Sequence, residues 1–206
     1  MKYLINLFKI IELSRSQPQT GYVLHSIQQN ELSNLAEHHY LVAFIAWQLA
    51  SNLQNLGAKI NVVKVLEFAL VHDLGELFGG DISMPYAQIN PEARRHAKDF
   101  EAENQKFLSK FFGPQADYFK ALSAEVLNFH SDEAAVAKIA DYLEVTHYLL
   151  YMGVTLDSVI DSTKVKIEKM ISGIKDPVAN KELTNFIEVW AEDLQKGTAL
   201  DALRGE

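Results

Sequence analysis

Apolar residues recur every three or four positions over most of this chain, which is the spacing of amphipathic α-helices. A clear example begins near Asn34, where Leu41 and Ile45 start a stripe that ends at Gly57. No segment alternates convincingly enough to be a β-strand, so the pattern predicts an all-α fold. The predicted helices cover about residues 2–16, 34–56, 62–73, 91–112 and 115–129, one that opens at residue 131, and residues 156–174 and 177–195.

Residues with strong positional preferences predict several helix boundaries. Asn61 and Ser131 each precede an apolar run and are suitable N-caps. Pro91 is predicted to start a helix, because proline is favoured in the first turn, and Pro85 and Pro91 are predicted to bracket a loop. The run 62–71 is apolar nearly all round, which predicts a helix at the centre of the core.

Length and composition are those of one globular domain. The 206 residues are 48% hydrophobic and 22% charged, with a formal net charge of -8. The negative charge argues against a nucleic-acid polymer as partner, since such binding depends on Lys and Arg. The chain contains no cysteine, which excludes disulfides and thiolate ligands and leads us to expect a cytoplasmic location.

Two apolar stretches need to be compared with targeting and membrane segments. The N-terminal stretch carries Lys9 and Glu12 at helical spacing and no small-residue cleavage site follows it, so we expect an amphipathic helix and not a signal peptide. The uncharged run between Glu37 and Lys59 contains histidines, glutamines and asparagines, which make it too polar for a transmembrane helix. No membrane association is therefore predicted.

Three predicted helices place ionisable residues where apolar residues would be expected. These residues are His38 on an apolar stripe, the pair His72-Asp73 at the end of the run 62–71, and Asp141 in the middle of its helix. Taken singly, each can be explained as a hydrogen-bonded or ion-paired polar residue. Together, two imidazoles and two carboxylates suit a divalent cation, and without one the buried acids would lack partners.

The order of these motifs resembles the HD-domain metal-dependent phosphohydrolases. The residues that carry the resemblance are Glu37-His38, His72-Asp73-Leu74-Gly75-Glu76, Gly80-Asp81 and Ala140-Asp141. More narrowly, the chain resembles the branch that contains the 5'-deoxynucleotidases, over about Thr20 to Tyr151. The resemblance implies an all-α, single-domain HD-type helical bundle over residues 1–206. Its motif-bearing core would cover about 20–151, and C-terminal helices at 155–195 would pack on that core or form a dimer interface.

The resemblance also implies a role for each matching residue. The implied metal ligands are His38, His72, Asp73 and Asp141. Glu76 would orient or deprotonate the attacking water, and Asp81 would hold that water or the substrate. The implied reaction is metal-dependent hydrolysis of a small phosphomonoester, a nucleoside 5'-monophosphate or its deoxy form. Mn2+, Co2+ or a related divalent ion would be the cofactor, because such an ion makes water more acidic.

Some positions leave alternatives open. His39 would replace His38 as a ligand if the helix were rotated by one residue, although the Glu-His match and the apolar stripe favour His38. Relatives commonly carry an arginine for the substrate phosphate just before the Thr-Gly turn, and here Gln19 occupies that place. The remaining candidates for the phosphate are His25, Lys138, or one of Arg94, Arg95 and Lys98, although the last three are better explained as a solvated helix face. The aromatics that could either stack a base or pack in the core or a lid are Tyr22, Phe78 and Tyr86.

Two other functions compete with hydrolysis. A non-catalytic, nucleotide-binding HD sensor would keep the metal pocket but would need neither Glu76 nor Asp81. A helical interaction module would use the histidines and aspartates as ordinary polar pairs and would hold no metal. By resemblance we also expect a homodimer. The apolar residues of the last helix, which include Phe186 and Trp190, could contribute to its interface or simply close the core.

Overall fold

The computed structural model describes residues 2–154, 157–194 and 203–204. Over these residues it contains nine α-helices and no β-strand, so the prediction of an all-α fold is confirmed. The predicted helix boundaries at Leu156 and Gln195 lie outside the described residues. Among the helices that are described, none is both long and apolar enough to span a lipid bilayer.

Most of the helices are joined by short connections, but residues 12–34 separate the first helix from the second. The helices are α1 (Lys2–Ile11), α2 (Leu35–Asn55), α3 (Val62–Val71), α4 (Met84–Ile89), α5 (Pro91–Leu108), α6 (Ala116–Asn128), α7 (Asp132–Tyr151), α8 (Asp157–Ile171) and α9 (Pro177–Asp193). Between them lie 3₁₀ turns at Glu12–Arg15, Thr20–His25, Gln29–Glu31, Leu74–Phe78 and Ser109–Gln115.

Side-chain caps begin the three helices that carry the candidate ligands. At α2, the Asn34 side chain accepts a hydrogen bond from the Glu37 backbone N–H, and the Glu37 carboxylate accepts one from the Asn34 backbone N–H. Asn61 and Ser131 each accept a backbone N–H three residues further on, at the starts of α3 and α7. Both N-cap predictions are therefore confirmed.

The core forms where α2, α3 and α7 pack against one another. α2 contributes Val42, Ala46 and Ala50, which are small and fully buried and let its neighbours approach closely. Phe68 of α3 and Ile139 of α7 fill the space between the helices and expose no surface. α8 packs on α7, and α9 packs on both α8 and α2, so the C-terminal helices cover one side of this core.

The structure differs from the sequence predictions in the segment that follows residue 62. α3 is buried along one side only, since Val63 and Leu70 are 66% and 53% exposed, and it ends at Val71, two residues early. Helix α4 occupies residues 84–89, where a loop is predicted between two prolines. Pro85 lies in the first turn of this helix, a position where proline starts helices instead of breaking them.

The predicted helix over residues 91–112 is also shorter in the structure. α5 ends at Leu108, and a 3₁₀ segment continues to Gln115. Gly113 interrupts that segment with a left-handed backbone, φ 56°, and packs so closely on Tyr3 that an added Cβ would lie 2.7 Å from its ring. Glycine therefore allows the turn and the close approach together.

Candidate active site

The four predicted metal ligands come from three helices and meet at one point. His38 lies on α2 and Asp141 on α7, and His72 and Asp73 follow directly after α3. The backbone leaves the helical conformation at Asp73, with φ -113° and ψ 17°, and this turn lets two neighbouring side chains point to the same place. One nitrogen or oxygen from each residue lies within 4.8 Å of all the others.

The distances within this group suit one ion. His38 Nε2 is 3.2 Å from His72 Nε2 and 3.3 Å from Asp141 Oδ1. His72 Nε2 is 3.1 Å from Asp73 Oδ2. Ligands about 2.1 Å from one ion and at right angles to each other are about 3 Å apart, so these separations fit a shared divalent cation.

The outer nitrogens of both imidazoles fix how the inner nitrogens face each other. His72 Nδ1 lies 2.9 Å from the Ala69 carbonyl oxygen, and His38 Nδ1 lies 2.6 Å from Glu144 Oε2. Both acceptors require a proton on Nδ1, so in the neutral rings each Nε2 presents a lone pair to the other. Two lone pairs and two carboxylates at this spacing need a positive charge between them, and a divalent cation fits that need.

The charges of the group perturb one another strongly. Burial lowers the pKa of His72, but the Asp73 and Asp141 carboxylates outweigh it and raise that pKa to about 9. Burial opposes ionisation of Asp141 too, yet Lys138 and both histidines hold its pKa well below the usual value. The cluster therefore favours carboxylates that are ionised and a positive charge at the imidazoles.

Glu144 is a site residue that the sequence analysis missed. Its side chain is almost fully buried, and its bond to His38 Nδ1 is the interaction by which an outer carboxylate orients a histidine ligand. The sequence could have indicated Glu144, because it lies three residues after Asp141 and therefore on the same face of the predicted helix.

Glu76 and Asp81 lie in the same cavity as the cluster but differ in their contacts. Glu76 Oε2 is buried and has no hydrogen-bond partner among the described residues. Burial, followed by the negative charge of Asp73, raises the pKa of Glu76 well above its usual value. Asp81 Oδ2 instead accepts hydrogen bonds from the Gly21 backbone N–H at 2.6 Å and the Thr20 hydroxyl at 3.1 Å, so Asp81 fixes the 3₁₀ turn 20–25.

The cavity has a volume of about 350 Å³. The polar residues that line it beyond the cluster include Gln19, His25, Arg94, Lys98, Glu101, Lys138 and Lys166. Apolar walls come from residues of α6, α7 and α8 that include Val126, Val145, Leu149 and Val159. Of the three aromatics considered for base stacking, Tyr22 lines the cavity, whereas Phe78 packs on Phe107 and Tyr86 bonds to Asn90.

The structure places two alternative candidates outside this arrangement. His39 is buried beside His72, with ring centroids 4.9 Å apart, but its nitrogens do not belong to the converging group. Burial lowers the pKa of His39 to about 3, so it is neutral. Arg95 is exposed and forms ion pairs with Glu92 and Asp99 on the surface of α5.

Sequence comparison finds relatives that are named as 5'-deoxynucleotidases. A 5'-deoxynucleotidase of Vibrio vulnificus is 38% identical over 78 residues, which are 37% of this chain and 40% of that protein. The 5'-deoxynucleotidase of Vibrio cholerae is 30% identical over 111 residues, 52% of this chain and 56% of that protein. The chain thus spans about half the length of the curated relatives it matches.

The fold also has a solved counterpart. A crystal structure of a Pyrococcus horikoshii protein is similar with a TM-score of 0.69, covering 91% of this chain and 98% of that chain at 24% identity. A sequence model described as an HD domain matches residues 11–184, a range that contains all four candidate ligands. The family inferred from the motif order is therefore confirmed, and the chain belongs to the HD-domain family.

Proposed function

We propose that the protein is a divalent-metal-dependent phosphohydrolase that cleaves small phosphomonoesters, with nucleoside 5'-monophosphates and their deoxy forms as the substrate class. The observation that carries this proposal is the convergence of two imidazole nitrogens and two carboxylates in one cavity. The names of the two Vibrio relatives support the substrate class.

The proposed cation site consists of His38, His72, Asp73 and Asp141. Imidazole nitrogens and carboxylate oxygens suit Mn2+, Co2+ and related ions. A divalent ion in this site would polarise a phosphate oxygen and make water more acidic. Glu144 would keep the His38 ring in the ligating tautomer through its 2.6 Å contact.

Glu76 is the proposed general acid–base residue. Its buried carboxyl oxygen has no competing hydrogen bond within the described part of the chain, and its raised pKa brings proton exchange closer to neutral pH. The proposed role of Asp81 is changed by its contacts. Because Asp81 holds the backbone of Gly21 and the hydroxyl of Thr20, we assign it to positioning the turn that carries Tyr22 to the cavity wall.

The first experiment measures metal content and phosphate release in the same preparations. Wild type, Asp73→Ala and Asp141→Ala are compared by elemental analysis and by activity on a panel of deoxynucleoside 5'-monophosphates. Asp161→Ala, on the exposed face of α8, is the matched control. We expect about one divalent ion per chain in wild type and the control, and loss of both metal and activity in the two ligand variants while circular dichroism stays helical.

Two results would contradict this proposal in different ways. A wild-type chain that holds no metal and takes up neither Mn2+ nor Co2+ would remove the cation site and favour a helical interaction module. A chain that holds metal and binds nucleotides but releases no phosphate would be the non-catalytic sensor.

We also propose that the protein is a cytoplasmic homodimer. An apolar groove of about 640 Å³ lies between α2 and α9 and is lined by Phe44, Leu56, Phe186 and Val189, among others. All four side chains are at least 39% exposed. A second copy of the chain that covered this groove would remove apolar surface from water.

A further inference from the structure

The cavity gathers positive side chains that the proposed cation site does not use. Lys138 comes from α7, Arg94 from α5 and Lys166 from α8, and all three line the cavity. They matter because Gln19 stands where the resemblance leads us to expect a phosphate-binding arginine.

Lys138 lies next to the cation site. Its Nζ is 2.5 Å from Asp141 Oδ2, the carboxylate oxygen on the far side of the ligating Oδ1. The same Nζ lies 5.6 Å from the centroid of the Tyr142 ring. A phosphate oxygen placed at the proposed cation site would therefore lie within reach of the Lys138 ammonium group. Lys138 also forms an ion pair with Asp141, one of the candidate ligands.

Lys166 approaches the same ring from another helix. Its Nζ lies 5.5 Å from the Tyr142 ring centroid, and its side chain is half-buried. Within the described ranges, neither Lys166 nor Arg94 forms an ion pair with a carboxylate. Burial, followed by the positive charge of Arg94, lowers the pKa of Lys166, so the two charges are close enough to repel each other.

Other basic residues of α5 do interact with acidic groups, in contrast to Arg94. Arg95, the next residue on α5, is paired with two acids on the surface. Lys98 also lines the cavity, but its charge lowers the pKa of the nearby Glu101 carboxyl. Arg94 and Lys166 thus remain as two positive charges that line one cavity without an ion-pair partner among the described residues, an arrangement that a bound anion would stabilise.

We propose that Arg94 and Lys166, together with Lys138, form an anion subsite that binds the phosphate of the substrate in place of the arginine missing at position 19. This subsite rests on the proposed phosphohydrolase function. Arg94 and Lys166 bind the outer phosphate oxygens, and Lys138 binds the oxygen nearest the cation site. Guanidinium and ammonium groups are well suited to this task, because a phosphomonoester dianion offers three terminal oxygens. The subsite selects for a terminal phosphate and leaves the apolar walls for the rest of the substrate.

The test measures the affinity of metal-loaded protein for inorganic phosphate by calorimetry, in wild type, Arg94→Gln and Lys166→Met. The matched controls are Arg95→Gln on α5 and Lys169→Met on α8, both exposed. We expect each subsite variant to weaken phosphate binding by about tenfold or more, which corresponds to loss of one charge-assisted hydrogen bond. The controls should stay within about twofold of wild type.

Kinetics on a deoxynucleoside 5'-monophosphate give a second readout. The subsite variants should raise KM more than they lower kcat, and Arg94→Lys should recover part of the loss, because it restores the charge without the planar fork. Metal content must equal that of wild type, since a loss of metal in Arg94→Gln and Lys166→Met would assign the effect to the cation site and overturn the subsite.

The outcomes separate this inference from the proposed function. If wild type does not bind phosphate, or if both subsite variants bind it as wild type does, the subsite is wrong even where hydrolysis is intact. If no monophosphate is hydrolysed but phosphate binding still depends on Arg94 and Lys166, the anion subsite stands and the hydrolytic function fails.

Discussion

A single hydrogen bond orients one ligand of the candidate cation site. Glu144 Oε2 lies 2.6 Å from His38 Nδ1, and both side chains are buried. The carboxylate holds a proton on Nδ1, which leaves the Nε2 lone pair for a cation. Removing the charge of Glu144 without changing its size should therefore weaken the site although every ligand is still present.

Glu144→Gln is expected to lower divalent-metal affinity by about 10–100-fold, because an amide orients the imidazole less strongly than a carboxylate does. Competition with a chelating dye measures this affinity. Glu188→Gln, on the exposed side of α9, is the matched control. Equal metal affinity in Glu144→Gln and wild type would show that the contact is structural only.

Glu101, which lines the cavity, makes the stability of the fold depend on pH. Burial, followed by the charge of Asp73, raises its pKa from 4.5 to about 7. Between these two values the folded state keeps a proton that the unfolded state has lost, so the free energy of unfolding falls as the pH rises from 4.5 to 7. The stability that this proton provides is complete below 4.5 and is lost above 7.

Glu101→Gln should abolish this pH dependence, since glutamine resembles the protonated acid. In chelator, the variant should be more stable than wild type by up to about 3 kcal/mol at about pH 8, with little difference at about pH 4.5. Urea unfolding at both pH values measures the change. Glu103→Gln is the control, because Glu103 pairs with Lys106 on the exposed side of α5. A Glu101→Gln variant that gains nothing at the higher pH would refute the assignment.

At the scale of elements, one close contact fixes the 3₁₀ turn Leu74–Phe78 against α5. A Cβ on Gly75 would collide with Glu101 Cγ and lie 2.7 Å from the Glu101 carbonyl oxygen. The Gly75 carbonyl also accepts a 2.7 Å hydrogen bond from Asn104. The turn carries Glu76 and α5 carries Arg94, so this contact sets the distance between two walls of the cavity.

Gly75→Ala should push α5 away from the turn. We expect a loss of about 1–3 kcal/mol in the free energy of unfolding, as for other overpacked sites, and lower phosphatase activity with metal content retained. Gly173→Ala is the control, because a Cβ there would contact only the Met170 carbonyl oxygen at 3.3 Å. Thermal unfolding and activity are compared, and equal losses in both variants would contradict the packing argument.

Helix positions were predictable where local chemistry decides them. Asn61 and Ser131 mark helix starts because a cap needs only its own following backbone. The helix at 84–89 was missed because Pro85 fits both a loop and a first helical turn. The outward exposure of Val63 was missed for another reason, since an all-apolar run does not say which side packs on the core.

The candidate site was predictable to a similar extent. His38, His72, Asp73 and Asp141 follow from motif order, and the structure brings them together. Contacts between helices that are distant along the chain leave no motif in the sequence. Lys166 lies on α8, beyond the motif-bearing range 20–151, and only packing of α8 on α7 brings it to the Tyr142 ring.

At the scale of the whole molecule, the groove between α2 and α9 tests the proposed homodimer. α9 buries Leu183 and Ile187 against the core but leaves Val189 59% exposed at the groove. Val189→Asp should convert the dimer to a monomer, because a carboxylate in an apolar interface is costly. Ile89→Asp, at an 82% exposed position of α4, should stay dimeric. Sedimentation measures the mass, and a monomeric wild type would refute the proposal.

The candidate ligands join α2, α3 and α7, the three helices that form the core, so metal binding should stabilise the entire fold. At a free Mn2+ concentration of about 100 times Kd, the free energy of unfolding should rise by about 2.7 kcal/mol over chelated protein. This corresponds to an increase of about 5–10 °C in Tm for a chain of this size. Asp141→Asn should lose the response to Mn2+ whatever its baseline Tm, whereas Asp161→Asn should keep it. A wild-type Tm that is the same in chelator and in Mn2+ would mean that the three helices do not share an ion.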